Sequence, residues 1–178
     1  MGQLCYSISD AFLNKSLRPG FNQSDYGYSY TPVLDGSIDL LCAHIKQGNA
    51  WTPAVFSGGR NVDNWKQAQI IGIDCDHNVS VESALLNETV KNYVTILHPT
   101  ASSTPENPRT RLIFVLDQLI TDVNEYHYLQ RVLGKLLLPL LPDTAVLHPS
   151  VQFYGALDTQ GQKRPDKILS QTLDQGLS

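Results

Sequence analysis

Near the middle of the chain an apolar run closes on two acids: Ile70-Ile71-Gly72-Ile73-Asp74-Cys75-Asp76-His77. β-Branched residues dominate the run, and four to eight such residues in a row suit a strand buried on both faces. Side chains alternate across a strand, so Asp74 and Asp76 leave its C-terminal edge on the same side. Like charges held that close repel unless a cation or a proton is shared between them. Hard divalent ions such as Mg²⁺ and Mn²⁺ take oxygen ligands of this kind. An ordinary strand end with solvated acids has the same local pattern, so the pair gains meaning only from what surrounds it. Gly72 adds one constraint, because a glycine inside a strand marks a place where another group comes close.

The 178 residues suffice for one domain with a real core, and 42% apolar with 17% charged residues is the composition of a globular protein. The longest apolar stretch, Leu136-Leu137-Leu138-Pro139-Leu140-Leu141, is too short to span a bilayer and carries a proline. Cys5, Cys42 and Cys75 are odd in number and widely spaced, without a CxxC pair. That argues for a reducing, cytoplasmic setting and against a structural zinc site. The net charge is −4, unusual for a chain that grips nucleic acid unaided.

Around the acid pair the periodicity alternates between strand and helix. Tyr26, Tyr28 and Tyr30 stand at strand spacing, as an aromatic sheet face or a surface for stacking bases. Ser37-Ile38-Asp39 opens a helix that Gly48-Asn49 stops, and Val55-Phe56 ends a short strand before the Ser57-Gly58-Gly59-Arg60 turn. Ser80 caps a short helix. Tyr93-Val94-Thr95-Ile96-Leu97 reads as a second core strand and Arg111-Leu112-Ile113-Phe114-Val115-Leu116 as a third, central one, with a proline-bracketed loop over 98–108. Thr121-Asp122 caps a long amphipathic helix. A fourth strand is expected at Val151-Gln152-Phe153-Tyr154-Gly155, and a polar tail from Asp158. The order predicts an α+β fold.

Taken in order, these segments resemble the catalytic core of the archaeo-eukaryotic primase superfamily, in particular plasmid and phage primase-polymerases, over residues 56–155. Phe56-Ser57-Gly58-Gly59-Arg60-Asn61 is similar to the lead-in to the first motif, and Ile73-Asp74-Cys75-Asp76 to that motif itself. Ser102-Ser103 through Pro108-Arg109-Thr110-Arg111 resembles the second motif region, and Pro142-Asp143 the third. The resemblance implies an RRM-like antiparallel or mixed sheet flanked by helices, plus an N-terminal α/β unit. Residues 1–157 would form the catalytic domain and 158–178 a tail or linker.

The same resemblance implies a DNA primase-polymerase that uses a two-metal mechanism with Mg²⁺ or Mn²⁺. Asp74, Asp76 and Asp143 would be its metal-binding and catalytic trio. Ser102, Ser103, Arg109, Arg111 and Arg60 would face the nucleotide. Its partners would be DNA template and primer, nucleoside triphosphates, and a helicase or helical priming domain. The chain departs from the pattern twice. Ser103 stands where the second motif carries a histidine, and Val151 or Gln152 stands where an arginine often precedes the Phe-Tyr-Gly. Both changes remove a phosphate contact, so a catalytically degenerate nucleotide- or single-strand-binding module is the alternative, with an RNase H-like nuclease behind it. His98, just before Pro99, is a candidate substitute for the missing histidine.

Overall fold

A computed structural model describes residues 3–170. The chain begins with β1 (Leu4–Ser9), a short hairpin of β2 (Phe12–Leu13) and β3 (Ser16–Leu17), then β4 (Thr31–Gly36). Helix α1 (Ile38–Lys46) follows: the Ser37 hydroxyl accepts from the Leu40 amide at 3.1 Å, and Asp39 lies in the positive first turn. Ile38, Leu41 and Ile45 fall on one face and are buried. Gly48 reverses the chain at φ +78°, a left-handed turn that favours glycine. β5 (Ala50–Thr52) then pairs with β1, so that β4, β1 and β5 make a small antiparallel sheet backed by α1.

The larger sheet is built from β6 (Ala54–Phe56), β7 (Trp65–Cys75), β8 (Ile96–Pro99), β9 (Thr110–Ile120) and β10 (Gln162–Lys163). Its order is β10-β8-β9-β7-β6 and every ladder is antiparallel. β9 is central, as its apolar density predicts. Short helices α2 (Val81–Ala84) and α3 (Glu88–Tyr93), and the long α4 (Val123–Leu136), cover one face. The pleat divides the core in two. Ile71, Ile73, Leu112 and Phe114 pack with Val90, Tyr126 and Leu133 on the helical side. Ile70, Ile113 and Val115 face Tyr6, Ile45, Trp51 and Phe153 on the other. Tyr126 ties α4 to the sheet by donating its hydroxyl to the Ile70 carbonyl at 2.8 Å. Among the described residues no helix is long and apolar enough to cross a membrane.

Four expectations need correction. Tyr26, Tyr28 and Tyr30 are not a strand: Tyr26–Tyr28 is a 3₁₀ turn, which sets Tyr26 and Tyr30 against Arg60 and leaves Tyr28 exposed. The second core strand starts three residues late, because the Asn87 side chain caps α3 and draws Tyr93 into the helix. Residues 151–155 are extended but form one bridge, Trp51 with Phe153, rather than a full ladder. The stretch beyond Asp158, expected to be a polar tail, is folded against the sheet as far as it is described. It supplies β10, buries Leu169 and aims Arg164 at the carbonyls of Val90 and Val94. Residues 171–178 of that segment lie outside the described residues.

Candidate active site

Asp74 is the penultimate residue of β7, and alternation with Ile73 and Cys75 of the helical side puts it on the opposite face of the sheet. In the ladder it stands opposite Arg111 of β9, and Arg111 stands opposite His98 of β8, so three strands carry one cross-sheet row. On the other side of β7 that edge is taken by a distant segment. Cys75 bridges Pro142 antiparallel, and the Asp143 amide donates to the Asp74 carbonyl at 2.8 Å. Asp143 is thereby opposite Asp74, and residues opposite one another share a face. Asp76 follows two residues after Asp74. The backbone thus brings the positions of the three acids to one sheet corner.

The side chains there are not equivalent. Arg111 donates from Nε to Asp74 Oδ1 at 2.6 Å and from Nη2 to Asp74 Oδ2 at 2.9 Å, a bidentate pair. Its Nη1 donates to the Tyr154 carbonyl at 2.6 Å, and its Cζ lies 4.5 Å from the Phe153 ring centroid. Both partners are largely buried, at 5% and 13% side-chain exposure. Gly72 explains how Phe153 comes that near: a Cβ at this position would lie 2.5 Å from the ring. Behind the pair, burial and the Arg111 charge hold the His98 imidazole down at about 4, so it is neutral. His98 Nδ1 lies 2.7 Å from the Pro99 carbonyl, and Nε2 is buried with no hydrogen-bond partner. Between the acids, burial pushes the Cys75 thiol up to about 12, and the Asp74 and Asp76 charges add to the rise. That thiol is not a nucleophile.

The loop between β8 and β9 closes on itself like a hairpin: Thr100 donates its amide to the Arg109 carbonyl, and Ser103 Oγ accepts from the Arg109 amide at 3.0 Å. Ser102, Ser103 and Arg109 are therefore gathered at the base of this loop, one residue from the strand that carries Arg111. Arg109 and Arg111 share an i, i+2 spacing but not a condition. Each of the three Arg111 nitrogens makes a hydrogen bond, whereas Arg109 Nε is buried without a partner. Arg60 stands apart from them, 5.6 Å from the Tyr30 ring and bonded through Nη1 to the Ser150 carbonyl.

Both oxygens of Asp74 are engaged by Arg111, and Asp143 Oδ1 accepts from the Ala145 amide at 2.9 Å. Among the described residues no three His, Cys, Asp or Glu side chains are gathered to hold a metal ion. The backbone brings the acids to one place, but this side-chain arrangement does not fit a two-metal centre. Sequence reasoning missed the row from His98 through Arg111 to Asp74. Only strand register creates it, and no local pattern encodes register between separate strands.

No protein-family model and no curated protein sequence matches this chain. Two solved structures are similar to it. The AEP domain of the primase-polymerase from cyanophage S-2L aligns over 99% of this chain and 89% of its own, with a TM-score of 0.56 and 12% identity. The polymerase domain of Ligase D from Mycobacterium tuberculosis, in complex with DNA, aligns over 92% and 71% with a TM-score of 0.41 and 14% identity. The first likeness is one of fold, and it extends over nearly the whole chain.

Proposed function

We propose that this chain is a nucleotidyltransferase of the DNA primase-polymerase kind, adding nucleotides to a primer on a DNA template. The observation that carries the reading is the corner where Asp143 pairs with the Asp74 strand edge, beside Asp76 and the Ser102–Arg109 loop, on a fold like that of a primase-polymerase domain. Each group has a distinct part in this reading. Arg109, with its free Nε, and the hydroxyls of Ser102 and Ser103 supply donors for a triphosphate. Arg111 is a positioning residue: it fixes the Asp74 carboxylate and anchors the Phe153–Tyr154 segment. Asp76 and Asp143 are the acids left to face the reacting groups.

Primer extension tests the reading, run with dNTPs or NTPs and with Mg²⁺, Mn²⁺ or EDTA. Extension is expected, and it should be lost in Asp76→Ala and Asp143→Ala variants whose far-UV CD is unchanged; the EDTA arm reads whether a divalent ion takes part. Arg109→Ala should chiefly raise KM for the nucleotide, since a ground-state phosphate contact is removed. Extension that survives both Asp variants would overturn the assignment. The occupied Asp74 carboxylate favours a second reading, a nucleotide- or single-strand-binding module without turnover. Saturable nucleotide binding with no extension under any metal condition would select it.

A further inference from the structure

The outer side of α4 carries two adjoining concavities that the nucleotidyltransferase reading does not use. One, of about 380 Å³, is lined by Tyr128, Arg131, Val132, Lys135 and Leu136. The other, of about 350 Å³, runs between α4 and the segment that follows it, from Gly134 and Leu138 to Pro142 and Leu147. Arg131 and Lys135 belong to both. Gly134 lets the two walls meet, since a Cβ there would lie 2.6 Å from Leu147 Cδ1. Exposed apolar groups line and border the groove: Leu138 at 61% and Tyr128 at 45% line it, and Leu141 at 59% lies in the segment between Leu138 and Pro142.

Charge gives the groove a sign. Arg131 and Lys135 are like charges four residues apart on one helix, a mildly unfavourable spacing. Among the described residues neither has an ion-pair partner, in a chain whose net charge is −4. Leu141 adds a conformational oddity: it is exposed, yet its backbone is left-handed, at φ 49° and ψ 61°. Residues other than glycine rarely adopt this conformation. It turns the chain directly into Pro142 and Asp143.

We propose that this groove docks an acidic amphipathic helix of a partner protein, laid along α4 with its apolar side on Leu138, Leu141 and Tyr128 and its acids on Arg131 and Lys135. From Tyr128 to Leu138 the face is about 15 Å long, which three turns of a helix cover. The groove beside a helix, with apolar anchors and a charged rim, is the geometry of helix-in-groove recognition. The proposal stands independently of turnover, because its readout is binding.

Titration of the ¹⁵N-labelled chain with three synthetic 15-residue peptides tests it: an amphipathic helix with Leu on one face and Glu on its flanks, the same helix with Lys for Glu, and a scrambled Glu peptide. The Glu helix should give saturable amide shifts confined to residues 128–147. It should bind roughly tenfold tighter than the Lys helix, as two rim charge pairs allow. An R131E/K135E chain, both changes being on exposed side chains, should invert that preference. Absent or scattered shifts, or equal binding of the Glu and Lys helices, would overturn the proposal. A concentration-dependent dimer that shields Leu138 and Leu141 would also overturn it, by giving the groove to a second copy of this chain.

Discussion

Removing the Arg111 guanidinium would leave the Asp74 carboxylate buried without its counter-charge. Unpairing a buried ion pair costs about 3–5 kcal/mol, whereas replacing both partners costs far less. Arg111→Met should therefore lower the urea midpoint sharply, and Asp74→Asn combined with Arg111→Met should recover part of the loss. Additive losses in that double-mutant cycle would mean that the pair is not coupled. Gly72→Ala should destabilise by about 1–3 kcal/mol through overpacking on Phe153, where an ordinary strand glycine would tolerate alanine. His98 gives the site a pH signature. Its folded value lies near 4 against an ordinary 6.5, so between those limits the unfolded chain holds more protons. Stability from this group is complete above pH 6.5 and is lost as pH falls toward 4. His98→Gln should flatten that part of the Tm-against-pH curve, and an unchanged slope would show that imidazole burial is not its source.

At the scale of elements, helix starts were legible because their signals are local. Ser37, Ser80 and Asp122 each accept an amide from their own first turn, as their residue types predict. The segment after Asp158 was not legible. Its sequence is polar and short of apolar period, and its role depends on partners far away. Arg164 reaches the carbonyls of Val90, Lys91 and Val94, and the Lys167 carbonyl accepts from Thr95 Oγ1 at 2.6 Å. Ending the chain after residue 157 should thus destabilise it by more than about 2 kcal/mol, since burial of Leu169 alone is worth that much. Unchanged thermal unfolding of the shortened chain would restore the view of a dispensable tail.

For the molecule as a whole, thirteen Lys and Arg residues are outnumbered by seventeen Asp and Glu. Non-specific affinity for nucleic acid scales with the phosphates that basic side chains neutralise. Of the arginines near the candidate site, Arg111 is turned inward and Arg60 is stacked on tyrosine rings, which leaves few to meet a backbone. Fluorescence anisotropy with a primed template and no nucleotide should show weak binding with a shallow salt slope. A steep slope would mean that basic residues elsewhere converge on one surface. Primer extension should then be easier to detect than primer synthesis, because a primer duplex adds contacts that two separate nucleotides lack.

The sequence by itself determined where the capped helices begin, that 111–116 is the central strand, and that Asp74 and Asp76 leave one strand end on the same side; Asp143 came from the family resemblance alone. The helix starts, the central strand and the Asp74/Asp76 spacing rest on capping chemistry, apolar periodicity and the two-residue repeat of a strand, all of which act within a few residues. Only the tertiary structure decided what each acid touches. That Asp74 is neutralised by Arg111, that Asp143 closes the open edge of β7, and that His98 lies buried in the same row follow from the register of strands far apart in the chain. Register is set by how whole faces bury against the N-terminal unit and against α4, and a single segment carries no record of the face it will meet.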